Sequence, residues 1–458
     1  MILLLAAVVA GSAAIADWVP ARWPSADPKS LDLLADTPIN CLLLEPDQAT
    51  ALLAEPAAKR GIATLVVLRP GGDTLAAARK ALDNQLTGVV LQGDFDEAAV
   101  RVLRDSLSGS KAPVIEMPPR RSLRPTASTP VLATYQSVWP GIPIAPNGAA
   151  KAGPTGTPWV NTNTGFLLFA RAWTDAPVWV ANSPPADQVL KVENYLQAIC
   201  DAGVLGARWV LSLDPDFSRR LLARDAAALA DWKRIATHLR YFEENKAWRS
   251  LTAHRGMTVI QDADSGALVS GGLLDMIAVK HTPVRVVPRQ KLSEDMVRGS
   301  RVLLNLEAPL LSAAQKDVVT RFTHSGGLLL TSPPEVKMPA LRDDQITIEE
   351  QELKEIEVLW RDINQIIWHQ SLGAKPYHAA GMLSRTLTSE DGKRVILHLV
   401  NYTNYPVENV TVRFPATFRR ARLLTPEAAP KDLETYEMEK TTAVDIDQVP
   451  VCATVIVE

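Results

Sequence analysis

Between about residues 38 and 250 the chain alternates short apolar runs with longer mixed stretches. The runs fall at 40–44, 63–68, 88–91, 113–115, 131–134, 158–160, 177–180 and 207–211. Their unbroken apolar character suits strands of a parallel sheet, which are covered on both faces. Between them, apolar positions at helical spacing predict helices over 75–84, 97–106, 187–202 and 226–244. Eight such units predict an α/β fold, a (β/α)8 TIM-type barrel over residues 17–250; an open doubly wound sheet is the alternative. The Pro- and Gly-rich stretch 140–158 reads as a long loop on the functional face of such a barrel.

The pattern then repeats on a smaller scale. Strands at 257–261, 284–287, 301–306 and 327–331, with helices at 272–280, 293–298 and 312–324, predict a flavodoxin-like α/β domain over 251–340. A charged helix at 348–368 forms a linker spanning 341–375. From 376 to 458 the period becomes alternation between turn signals, as at 395–401 and 410–414, which predicts a small antiparallel β-sandwich.

The first sixteen residues are apolar and close on Ala14-Ile15-Ala16, the small-x-small pattern of a secretory signal, although no Lys or Arg precedes Arg22. A buried first strand or a membrane anchor is the competing reading, and the run is short for a bilayer span. With the signal removed, no integral membrane segment is expected, and the protein is expected to be secreted or periplasmic.

Composition narrows the partners. Lys and Arg number 48 against 51 Asp and Glu, a formal charge of −3, so there is no basic surplus for nucleic acid or anionic lipid. Cys41, Cys200 and Cys452 are scattered and odd in number, which excludes a disulfide framework or a Cys-rich metal site. They read as small buried apolar residues. The seven histidines show no His-Glu-x-x-His and no metal spacing, and there is neither a Gly-x-Ser-x-Gly elbow nor a Walker loop. No metal and no cofactor are expected. The polar stretch 262–272 reads as a turn and helix start rather than a phosphate loop.

The segment Arg301-Val-Leu-Leu-Asn-Leu, continuing through Leu311-Ser312 to Gly326-Gly327-Leu328, resembles the trimerisation domain of multidomain glycoside hydrolases of the β-galactosidase and α-fucosidase-like kind. Val395-Ile-Leu-His-Leu-Val-Asn-Tyr402 is similar to the opening strands of their terminal sandwich. The resemblance implies a barrel, an amidotransferase-like domain and a sandwich, a carbohydrate substrate, and a possible homo-oligomer through the α/β domain. No cysteine lies between Cys200 and Cys452, so that domain lacks the thiol nucleophile of amidotransferases and reads as structural.

Glycoside cleavage needs two carboxylates roughly 5–10 Å apart. Reading each strand outward gives Glu45, Asp73, Asp94, Asp96, Glu116, Asp214 and Asp216. Glu116 directly ends an apolar run, where desolvation raises a carboxyl pKa, and its expected catalytic partners are Asp94 and Asp214. Asp73, Asp96 and Asp216 sit where helices begin and read equally well as caps. Glu45, Arg69, Gln92, Gln136, Asn161, Asn163 and Asn182 are candidate hydroxyl binders at strand ends.

The chain holds 11 Trp against 8 Phe and 7 Tyr, and an indole face packs well on a sugar ring. Trp139, beside Gln136, is the stacking candidate; Trp159, Trp179 and Trp209 read as core, and Trp232 and Trp248 as helix packing. The expected function is an exported glycoside hydrolase-like protein. A non-catalytic carbohydrate-binding or scaffold protein is the alternative, and a transferase or lyase at the same mouth is a third.

Overall fold

The computed structural model describes residues 14–458 apart from 111, 126–128, 154–156, 186–187, 255, 264–266, 268–270, 307–310, 332–349 and 369–372. Most of the expected signal segment, parts of the 262–272 stretch and the start of the linker lie outside the described residues. The chain divides into two compact units that interleave in sequence. One takes residues up to Gln136, 176–190 and 208–240; the other takes 137–175, 191–207 and 241–458.

In chain order the first half runs β1 (Pro20–Arg22), β2 (Cys41–Leu44), α1 (Ala51–Lys59), β3 (Ala63–Leu68), α2 (Thr74–Asp83), β4 (Gly88–Gln92), α3 (Glu97–Leu107), β5 (Val114–Met117) and β6 (Leu132–Thr134). Then come α4 (Thr164–Trp173), β7 (Val178–Val180), α5 (Val192–Gly203), β8 (Arg208–Trp209), α6 (Pro215–Leu222) and α7 (Ala226–Glu244). Helices α4 and α5 belong to the second unit, and α7 crosses the division.

Within the first unit, β1 to β5 form one parallel sheet in sequence order and β6 to β8 another. Just past β8, Leu211 bridges Ala21 in parallel: Arg22 N donates to Leu211 O at 2.8 Å and Leu211 N to Pro20 O at 3.2 Å. Core-facing residues of the six strands β2 to β7, with Trp18 just before β1 and Val210 just past β8, meet in a single buried cluster. It includes Leu43, Leu65, Val67, Val90, Ile115, Met117, Ala133 and Trp179. Both sheets therefore turn one face to a shared core, and each large side chain fully buried there contributes about 2 kcal/mol. Asp73 and Asp96 accept from Ala76 N and Ala98 N, each at 2.9 Å, and so cap α2 and α3.

Two expectations change. The run at 158–160 is not a sheet strand; Trp159 N donates to Lys151 O at 2.7 Å and Pro158 bridges Ala152 antiparallel, within an irregular loop of the second unit. Its place in the count of eight goes to β1, a three-residue strand containing an arginine and carrying no apolar run.

The second unit continues with β9 (Thr252–Ala253), β10 (Met257–Gln261), α8 (Gly272–Ala278), β11 (Val284–Pro288), α9 (Glu294–Val297), β12 (Val302–Asn305), α10 (Ala313–His324), β13 (Leu328–Thr331) and α11 (Glu350–Trp368). Strands β10 to β13 form a parallel sheet in the order β11-β10-β12-β13, the opening order of a flavodoxin-like sheet. After them come β14 (Lys375–Tyr377), β15 (Met382–Thr388), β16 (Val395–Asn401), β17 (Val407–Arg413), β18 (Ala421–Thr425), β19 (Ala428–Leu433), β20 (Tyr436–Met438), β21 (Thr441–Val449) and β22 (Cys452–Val457). They make two antiparallel sheets around one core, and β9 adds an edge to the larger of them.

Helix α5 is fastened to the strand that lies two hundred residues later. Gln197 Nε2 donates to Asn401 O at 3.3 Å and to Thr403 O at 3.1 Å, and Tyr402 Oη donates to the Asp201 carboxylate at 2.6 Å. Asp201 also accepts from Thr162 Oγ1 and from both the backbone N and the Nδ2 of Asn163. Burial pushes the Asp201 pKa up, and these donors oppose the shift. The cysteines Cys41, Cys200 and Cys452 are all buried and free.

Candidate functional site

Pairing register decides which side chains rise from the core of the first unit. Arg22 pairs with Leu43 and Gln92 with Met117, so both lie on the core face. Glu45 follows Leu43 by two residues and Arg69 follows Val67 by two, which continues that face beyond the ends of β2 and β3.

These four residues meet. Arg69 grips Glu45 with two parallel bonds, Nη1 to Oε2 at 2.5 Å and Nη2 to Oε1 at 2.8 Å. Arg22 Nη1 stands 3.5 Å from Glu45 Oε1, and Arg22 Nη2 donates to Gln92 Oε1. The hydrogen bonds from Arg69 lower the Glu45 pKa, with the charges of Arg69 and Arg22 acting in the same direction against partial burial. Glu45 and Arg69 remain reachable, their side chains 38% and 50% exposed. The result is an ionised, polar, accessible patch at the C-terminal ends of β1 to β4, where parallel α/β folds bind ligands. Gly93, which follows β4, has φ +124°, and Pro70 Cδ lies 2.7 Å from the position a Cβ would take, so the backbone there admits only glycine.

The three expected catalytic acids are placed differently. Glu116 is not on the core-facing row: its neighbours Ile115 and Met117 fill the core, so alternation turns Glu116 to the other face, where Arg104 of α3 meets it at 2.5 Å. Asp94 accepts from Arg121 Nη2 at 2.8 Å and from Ser122 Oγ at 2.9 Å. Asp214 is fully buried and caps α6, accepting from Phe217 N at 2.9 Å with Pro215 at the first helical position. Asp216, expected as a cap, instead pairs with Arg219 and Arg220.

Of the expected hydroxyl binders, Glu45, Arg69 and Gln92 come together, and Arg22 joins them unforeseen. Gln136 accepts from Arg120 N at 3.1 Å. Asn182 lies two residues beyond β7. Trp139, Asn161 and Asn163 belong to the second unit, not to the strand ends. There Trp139 packs edge-on against Tyr195 at 5.6 Å, Asn161 accepts from Trp159 Nε1 at 3.1 Å, and Asn163 is buried against Asp201. Among the described residues no cluster of three or more His, Cys, Asp or Glu could hold a metal ion, and no helix is long and apolar enough to cross a membrane.

No protein-family model and no curated protein matches the chain. Solved structures do. An alpha-L-fucosidase isoenzyme 2 from Paenibacillus thiaminolyticus aligns with a TM-score of 0.60 at 12% identity, over 97% of this chain and 99% of that one. A rhamnosidase from Novosphingobium sp. PP1Y aligns at 0.45 and 13% identity over 90% of this chain and 39% of that one. A maltogenic alpha-amylase, AmyB, from Thermotoga neapolitana gives 0.33 and 9% over 96% of each. The first of these carries the comparison: the chain is similar in fold to a glycoside hydrolase, with parallel α/β sheets followed by antiparallel ones.

Proposed function

We propose that this chain is a carbohydrate-binding protein on a glycoside hydrolase-like frame, with the patch of Arg22, Glu45, Arg69 and Gln92 as the floor of the sugar site. The eight parallel strands are read as a closed (β/α)8 barrel. The shared core and the parallel bridge between Ala21 and Leu211 support that reading. Alternating guanidinium, carboxylate and amide groups suit the vicinal hydroxyls of a sugar, each of which both donates and accepts. The fucosidase likeness makes a glycoside the ligand class to try first.

The observation that carries the non-catalytic form is the commitment of every expected acid: Glu116 to Arg104, Asp94 to Arg121 and Ser122, Asp214 to a helix start. A general acid has to stand within hydrogen-bond reach of the leaving oxygen, and three carboxyls committed to separate arginines or a helix start do not converge on one pocket. Hydrolysis is the second reading, favoured by Glu45, which Arg69 and Arg22 hold ionised at the strand ends as a nucleophile or base requires. Export through residues 1–16, and self-association through 251–340, belong to the same proposal.

A panel of aryl glycosides and oligosaccharides tests it, read by both turnover and melting temperature. Sugar-dependent stabilisation without turnover, lost in Glu45→Gln, is the expected result. Turnover abolished by Glu45→Gln establishes the hydrolase reading. A folded protein that responds to no sugar rejects both.

A further inference from the structure

A cavity of about 460 Å³ lies wholly within the second unit, among the end of α4, the turn after α5, β11 and the outer face of β15 and β16. Its charge is one-sided. Among the described residues five cations line it, Arg171, Arg249, Arg285, Lys291 and Arg385, against one lining carboxylate, Asp175.

Local pairing removes part of this excess. Arg249 pairs with Glu243 at 2.7 Å, Lys291 Nζ donates to Ala172 O at 3.0 Å, and Arg285 Nη2 points at Met296 Sδ at 3.2 Å. Arg385 stands out among the cations. It sits opposite His398 in the β15–β16 ladder, is largely buried, and its guanidinium has no ion pair or hydrogen bond among the described residues. His398 beside it is neutral, held down to about 3 by burial and then by the Arg385 charge, so it adds no counter-charge. Burial and the charge of Arg171 bring Arg385 itself down to about 10, and Arg171 is lowered by burial and by Arg249.

An arginine does not discharge by losing its proton near neutrality, and an uncompensated buried charge is costly. For Arg385, whose guanidinium has no acidic partner among the described residues, an anion from solution supplies the counter-charge. We propose that this cavity binds a small organic oxyanion of two or more negative charges, held by Arg385 and Arg171. The organic part follows from size and lining. The volume lies in the range of small-molecule sites and exceeds what one phosphate or sulfate fills, and Leu168, Phe242, Trp248 and Leu387 supply apolar wall beside the guanidinium groups. Sugar phosphates and acidic disaccharides share this chemistry. The site shares no residue with the strand-end patch, and its test is independent of the proposed function.

The experiment is melting temperature at constant ionic strength, replacing chloride by sulfate, inorganic phosphate, glucose 6-phosphate or digalacturonate. The organic dianions are expected to raise the melting temperature by about 2 °C at roughly tenfold their Kd, and to half-saturate below the inorganic ions. Arg385→Gln abolishes the shift and, having lost an unpaired charge, melts no lower than wild type in chloride; Arg171→Gln weakens it. The proposal is overturned if no oxyanion differs from chloride, if the shift survives in Arg385→Gln, or if that variant alone melts several degrees lower in chloride. Equal half-saturation by inorganic sulfate overturns the organic ligand and leaves an adventitious ion only.

Discussion

Glu116 meets Arg104 at 2.5 Å on the helix side of β5, while Met117, one residue on, lies in the core. A carboxylate one position from the core-facing row is directed away from whatever binds above that core. Glu116→Gln is therefore expected to leave sugar-dependent stabilisation unchanged. The exposed pair contributes under about 1 kcal/mol, so the urea midpoint should move little. Titrating the variant and wild type with the same sugar checks this.

Asp214 caps a helix from a fully buried position. Asp214→Ala is expected to cost about 1–2 kcal/mol, while Asp214→Asn, which keeps an accepting oxygen in place, should cost less. Chemical denaturation of the two variants separates a cap from a catalytic acid: for a catalytic acid, the Asn variant would lose function as completely as the Ala variant.

The Asp201 carboxylate is held by donors from three residues, Thr162, Asn163 and Tyr402. Tyr402→Phe removes one charge-assisted donor and is expected to cost about 2 kcal/mol. Asp201→Ala, which strands several buried donors, should cost about 3–5 kcal/mol. A double-mutant cycle between positions 201 and 402 should return a coupling of the same sign.

His398 gives the protein an acid-sensitive component. Its Nδ1 lies 2.8 Å from Thr454 Oγ1, Trp248 packs 5.0 Å from its ring, and its pKa falls from 6.5 to about 3. The unfolded chain takes up the proton first, so this contribution is complete above pH 6.5 and is lost as pH falls toward 3. Fully expressed, it is on the order of 4 kcal/mol. His398→Gln should lose less stability than wild type between pH 7 and 4, measured as urea midpoints; equal losses would refute the assignment.

Helices were the most legible part of the sequence. The expected 226–244 is α7 to the residue, and the expected 312–324 begins on Ser312, the cap of α10. Glu45, Arg69 and Gln92 were also readable, because each follows an apolar run whose parity is unambiguous. Glu116 is less legible, because its strand does not end at Ile115: it runs on to the apolar Met117, and that alternation puts Glu116 on the opposite face. Arg22 was invisible for a different reason. Pro20-Ala21-Arg22 has no periodic signal, and its strand exists only through its pairing with β2 and Leu211.

The bonds from Gln197 to the Asn401 and Thr403 carbonyls join residues 204 and 206 positions apart. A ribosome adding about 5–20 residues per second takes roughly 10–40 s over that distance. Throughout that interval α5 has emerged but β16 has not, and Tyr195, Leu196 and Ile199, buried in the finished fold, lack their eventual cover. A nascent chain of this protein therefore presents a chaperone with a long-lived client, and messages truncated before codon 401 should yield aggregates rather than a smaller folded protein.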